Sequence, residues 1–167
     1  ITTFQDMIGL YPMILEAYDW LAKAHEAAGD PLEALDTVNL AIDLSPSAIL
    51  RQKKLATLAD KTENLEIAEK AYKAAVKLGK NSVHKSSSDY AGLAKVYVKT
   101  NAPTQALQTL DDLHQQFIND PDAELRAAII ETEVYKKLGD DTLAEQAFEK
   151  ALSLNEQFGK HTPTDLR

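Results

Sequence analysis

The stretch from Ala17 to Pro46, AYDWLAKAHEAAGDPLEALDTVNLAIDLSP, reads as two amphipathic helices joined by a tight turn at Gly29-Asp30. Asp30, Pro31 and Glu33 make a helix start: Asp30 offers an oxygen to free backbone N–H groups, Pro31 suits the first helical position, and Glu33 completes a capping box. Gly29 can end the preceding helix in a left-handed conformation. Beyond the turn, Ala34, Val38, Ala41, Ile42 and Ser45 trace one face of a helix, and Pro46 stops it.

The pattern recurs. A step of 34 residues carries Leu21, Ala22, Ala34, Val38, Ala41 and Leu44 onto Leu55, Ala56, Ala68, Tyr72, Ala75 and Leu78, so small residues fall on small and large apolar residues on large. The same step backwards reaches Phe4, Met7, Leu10 and Pro12, as if the first dozen residues were the second helix of an earlier hairpin. A step of 38 carries Leu55, Ala56, Ala68 and Tyr72 to Leu93, Ala94, Ala106 and Leu110, and another carries the last two to Ala144 and Phe148. The longer steps imply two insertions, placed by turn-forming residues in GKNSVHKSSSD and QQFINDPD and expected to lengthen loops.

On these residues the chain resembles the tetratricopeptide repeat family. The matches are Tyr18, Leu21, Ala22, His25, Ala34, Val38 and Pro46; Leu55, Ala56, Ala59, Ala68, Tyr72 and Ala75; Tyr90, Leu93, Ala94, Tyr97, Ala106 and Leu110; and Tyr135, Gly139, Ala144, Phe148 and Ala151. Glu131 and Thr132 depart from the pattern, standing where a large apolar and small pair is usual, with Ile129, Ile130 and Val134 available to repack that helix. The resemblance implies an all-α, right-handed solenoid of antiparallel helix hairpins. It would comprise residues 1–12 as half of an incomplete repeat, hairpins at 13–46, 47–80, 81–118 and 119–156, and a tail or further helix at 157–167, all in one domain.

A narrower resemblance lies in Arg51–Tyr97. Its Arg51-Gln52, Leu78–Ser82 and Asp89–Ala94 elements look like the repeat segment that follows a receiver domain in some bacterial response regulators. This implies an output or scaffold segment of a signalling protein.

Composition agrees with packed helix pairs: 44% hydrophobic residues, with only six glycines and six prolines. No run of about 18 apolar residues suggests a membrane span. The absence of cysteine fits the cytoplasm, and a thiol-free chain would be equally indifferent to a periplasm. The net charge of −8 conceals a division: residues 1–48 sum to −7, 49–80 to +4, 81–100 to +2 and 101–167 to −7. On the basic middle, Glu66 with Lys70 and Glu69 with Lys73 are i, i+4 pairs on an exposed face.

The resemblance places the first helix of each repeat on a concave, protein-binding groove. Asp19, Lys23, Lys53, Lys54, Thr57, Lys95 and Glu133 would line it, acidic at its rim and basic at its centre, and so able to steer an acidic peptide. Trp20 cannot share a side with Tyr18, which takes the core; Trp20 is then expected to pack on the neighbouring repeat or to serve as a groove anchor. Family members that clamp a chaperone's C-terminal carboxylate use a lysine and an asparagine where this chain has Asp19 and Lys23, and basic residues where it has Lys54 and then Ser88 and Gly92; of those basic places only Lys54 keeps the required sign.

No catalytic, cofactor or metal site is expected. The four histidines lack ligand spacing, and His25 falls at a core position usually aromatic. His84 lies among Lys80, Lys85 and serines that could cradle an anion, but the serines better serve as a cap for the helix near Asp89. The expected partner is a protein or peptide. Binding of nucleic acid or another polyanion through the basic middle is the alternative, against which a pI near 5.0 argues, and a regulatory segment of a larger enzyme is a third. Uncovered apolar faces at the first helix and near HTPTDLR lead to an expectation of self-association.

Overall fold

A computed structural model of the chain describes residues 1–158. Those residues form nine α-helices: α1 (Thr2–Leu10), α2 (Leu15–Ala28), α3 (Pro31–Leu44), α4 (Ile49–Lys61), α5 (Leu65–Gly79), α6 (Ser87–Lys99), α7 (Pro103–Gln116), α8 (Pro121–Leu138) and α9 (Asp141–Phe158). The fold is all-α, built of successive hairpins, and it divides into two units, residues 1–85 and 86–167. The further helix expected at 157–167 falls, from residue 159 onward, outside the described residues.

The hairpin turns repeat as faithfully as the apolar residues do. Gly29, Glu63, Asn101 and Gly139 all have positive φ, at 83°, 56°, 58° and 75°, and they are spaced by the same 34, 38 and 38 residues. After each, a backbone N–H reaches back to the helix: Asp30 to His25 O at 2.9 Å, Asn64 to Ala59 O at 2.8 Å, Ala102 to Tyr97 O at 2.8 Å and Asp140 to Tyr135 O at 3.0 Å. This six-to-one bond satisfies a carbonyl that the helix end would otherwise orphan. The new helix then starts at once, with Ala34, Ala68, Ala106 and Ala144 donating to the carbonyls of Asp30, Asn64, Ala102 and Asp140. Asp30 is at the N-cap of α3, but its side chain makes no capping bond, so the expected capping box is not formed; the turn rests on backbone bonds and on Pro31. Asp140 does cap α9, accepting from Leu143 N at 3.0 Å.

In the first unit the core is Ala17, Tyr18, Leu21 and Ala22 of α2, Ala34, Leu35 and Val38 of α3, Leu55, Ala56 and Leu58 of α4, and Ala68, Tyr72 and Ala75 of α5. His25 joins it, 7% exposed, and its Nδ1 has no hydrogen-bond partner among the described residues. Tyr18 keeps its hydroxyl satisfied by donating to Pro12 O at 3.0 Å. Trp20 is 55% exposed, so no neighbouring repeat covers it.

The two insertions are absorbed in different ways. The first does lengthen a loop, Lys80–Ser86, whose Ser86 hydroxyl accepts from Ser88 N and caps α6. The second lengthens a helix: α8 has 18 residues against 13 in α6, and it starts one turn earlier than the repeat spacing predicts. Asp120 caps this added turn, accepting from Asp122 N at 3.0 Å and Ala123 N at 3.3 Å. Within α8, Ala127, Ala128, Ile130 and Val134 are fully buried. Thr132 is buried too, its hydroxyl tied to Ala128 O at 2.9 Å, and Glu131 turns to His114 of α7. Phe148, on the pattern's large apolar position, stays 37% exposed on α9.

A left-handed backbone costs an L-residue about 1–2 kcal/mol, and glycine avoids that cost. Gly29→Ala, which meets no atom within 4 Å, should therefore lower unfolding stability by about 1–2 kcal/mol through the backbone alone. Glu63→Gly, at the equivalent turn, should raise it by about 0.5–1 kcal/mol after the entropy of the added glycine is counted. Urea unfolding of both variants checks the opposite signs.

Candidate functional site

Within the first unit, α2 and the start of α4 enclose an open cleft of about 620 Å³. Ala22, Val38, Ile49 and Leu50 supply its apolar wall, and Asp19, Lys23, Arg51, Lys54 and His84 its polar one. The helices place these side chains by their periodicity. Asp19, Ala22 and Lys23 lie three and four residues apart on one face of α2, and Leu50, Arg51 and Lys54 do the same on α4. The buried sides of the same turns carry Tyr18, Leu21 and Leu55, so the core fixes the direction in which the cleft residues point.

Charge is largely matched across the two helices. Arg51 grips Asp19 with both arms of its fork, Nε to Oδ1 at 2.9 Å and Nη2 to Oδ2 at 2.7 Å, the planar geometry that a guanidinium and a carboxylate share. Lys54, a turn further along α4, pairs with Glu26, two turns further along α2. Lys53 donates to the backbone carbonyl of His84, which brings the Lys80–Ser86 loop to the cleft. Lys23 lies 4.6 Å from the centroid of the Trp20 ring, a cation over an aromatic face.

The predicted residues therefore separate. Asp19, Lys23 and Lys54 line the cleft together. Trp20 and Lys53 are adjacent to it, through Lys23 and His84. Thr57 is exposed, its hydroxyl returned to Lys53 O at 2.9 Å. Lys95 and Glu133 are exposed on α6 and α8 of the second unit. Sequence reasoning missed Arg51 and Ile49 as cleft residues. The signal for Arg51 was its place 32 residues after Asp19, within two of the repeat step and of opposite charge on the next first helix.

The basic middle is correspondingly less basic than its sum. Arg51, Lys54 and Lys73 each face a carboxylate, the last pairing with Glu69 at 2.6 Å. Among the described residues no group of three His, Cys, Asp or Glu side chains is placed to hold a metal ion, and no helix is long and apolar enough to cross a membrane.

The Asp19 and Arg51 side chains are 40% and 18% exposed, so solvent screens their attraction. A double-mutant cycle with Asp19→Asn and Arg51→Gln should return a coupling of about 0.2–1 kcal/mol, measured by denaturant unfolding, and it should shrink in high salt.

Residues 133–158, the end of α8 with α9, match the family model for the tetratricopeptide repeat. No curated protein matches the sequence. Solved structures match nearly the whole chain. One is MamA, 19% identical, with a TM-score of 0.73 over 95% of this chain and 88% of that one. Another is YrrB, described as a TPR protein with an unusual peptide-binding site, 18% identical, with a TM-score of 0.59 over 98% and 87%. A third is a putative kinesin light chain from Podosopora anserina with nearly identical TPR-like repeats, 14% identical, with a TM-score of 0.71 over 95% and 86%. At these identities the likeness is one of fold, and with the match in the last hairpin it supports a tetratricopeptide-type helical repeat architecture.

Proposed function

We propose that the chain is a protein-binding module, not an enzyme, and that its first unit takes a short peptide in the cleft between α2 and α4. The observation that carries this reading is the cleft itself, whose apolar wall of Ala22, Val38, Ile49 and Leu50 meets a rim of charged groups already held in place by one another. Its size suits a few side chains of a peptide. Pre-paired charges cost little to order on binding, which favours selectivity for a complementary segment. Asp19, Lys23 and Lys54 contact the partner in this reading, with Trp20, Lys53 and Thr57 extending the surface on the same helices. Lys95 and Glu133 mark the corresponding positions of the second unit. The description of YrrB as peptide-binding agrees with this use of the fold.

Lys23 faces an aromatic ring instead of a carboxylate, so the preferred peptide carries an apolar side chain for the wall beside an acidic one for Lys23. The carboxylates already facing Arg51, Lys54 and Lys73 weigh against the polyanion alternative. A place as a cytoplasmic output or scaffold segment in a signalling chain follows from the resemblance of Arg51–Tyr97 to response-regulator repeats, and the coding sequence upstream of Ile1 tests it by the presence or absence of a receiver domain.

The binding reading is checked by calorimetric titration of short peptides that pair one apolar residue with two, one or no acidic residues. Affinity should rise with acidity, and Lys23→Glu should weaken the acidic peptides about tenfold, roughly 1.4 kcal/mol. Leu50→Asp should weaken all of them. Affinities blind to acid content and to both substitutions would contradict the proposal.

A further inference from the structure

In the second unit, His114 near the end of α7 lies between two carboxylates of α8. Its Nδ1 is 3.0 Å from Glu124 Oε1 and its Nε2 is 3.1 Å from Glu131 Oε1. Glu124 and Glu131 are seven residues apart, two helical turns on one face of α8, and the ring bridges the interval. Glu124 is held from its other side by Lys150 of α9, whose Nζ is 2.6 Å from Oε2. All three side chains are mostly shielded, with 19–28% of their surface exposed.

With both glutamates ionised, the contact geometry suits one protonation state of the ring. An ionised carboxylate only accepts hydrogen bonds, and a neutral imidazole has a proton on one nitrogen and a lone pair on the other. In either neutral tautomer one ring nitrogen would turn a lone pair toward a carboxylate oxygen about 3 Å away. Only the imidazolium donates on both sides. Protonating a glutamate instead is opposed at Glu124, where burial alone would raise the pKa but the bonds to Lys150 and His114 hold it below the usual value.

We propose that His114 is a pH-sensitive clasp between α7 and α8, closed on Glu124 and Glu131 when the ring is charged and half released when it is neutral. Of the acids on α7 itself, Asp111 accepts the Gln115 amide at 2.9 Å and Asp112 is near enough to Tyr90 of α6 to raise its pKa, while from α9 Lys150 holds Glu124.

The sign of the effect follows from the partners. Burial alone would lower the His114 pKa, but the hydrogen bonds and charges of Glu131 and Glu124 outweigh it and hold it above 6.5. A group whose pKa is higher in the folded chain than in the unfolded one stabilises fully below its unfolded pKa and loses that contribution as pH rises through the folded pKa. The joint between α7 and α8 is therefore tightest below pH 6.5 and loosens as pH rises through the raised pKa of the folded chain.

The test is an NMR titration of the imidazole carbons and nitrogens in the full chain, with His114 assigned by the signals missing from His114→Gln. The expected midpoint lies above 6.5. Both ring nitrogens should read as protonated below it, and Glu131→Gln, which removes a charge but keeps the shape, should move the midpoint down. Because Glu131→Gln is read by the ring's own signals, the result does not depend on its effect on stability. A midpoint at or below 6.5, or one that Glu131→Gln leaves in place, would overturn the proposal.

Discussion

Everything in the chain depends on a turn that reverses the helix in two residues without stranding a carbonyl. The left-handed residue at Gly29, Glu63, Asn101 or Gly139 and the six-to-one bond that follows it set the next helix antiparallel to the last. Four residues on from that bond's donor stands an alanine, at 34, 68, 106 and 144, with between 0% and 4% of its surface exposed. A side chain of one carbon lets the two helices approach closely immediately after the turn. The turn and the alanine together fix where the larger residues meet: Val38, Tyr72 and Leu110 recur four residues beyond the alanines and are buried. The core is thus a consequence of the turn repeated, as expected where stability is a sum of local repeat and neighbour terms.

The surface uses the same regularity differently. Buried faces repeat, and the residues facing outward on first helices vary, so that acids of α2 meet bases of α4. Apolar residues and matched charges then share one cleft, a composition suited to recognition by shape and placement more than by net charge. In the second unit the same kind of cross-helix matching recruits a histidine, and the joint becomes sensitive to pH.

The helices and most of their buried residues were legible in the sequence because a period of small and large residues is a property of the core. What was not legible depended on places where the period is broken. The left-handed turns at Glu63 and Asn101 carry no glycine, so composition gave no sign that they share the conformation of Gly29. The insertion near QQFINDPD was expected in a loop, but Asp120 and Pro121 start α8 a turn early. That added turn contains Glu124, and without it His114 would have one acid instead of two. Trp20 is expected either against the neighbouring repeat or as a groove anchor, because Tyr18 takes the core, and it is exposed. Of the eight surface residues singled out beforehand, Asp19, Lys23 and Lys54 share the cleft, because they sit on the turns of α2 and α4 that face each other. Lys95 and Glu133 lie on other helices of the second unit, and sequence position alone does not join them to that cleft.

The central claim is that the α2 and α4 cleft is the surface that holds a partner. It is tested most directly by recording amide NMR spectra of the full chain while the tightest-binding acidic peptide is added. The largest shifts should fall on Asp19–Lys23 and Ile49–Lys54, with Trp20 Nε1–H among them. Shifts concentrated instead on α9, around Phe148 and Leu152, with the α2 and α4 signals unmoved, would contradict it.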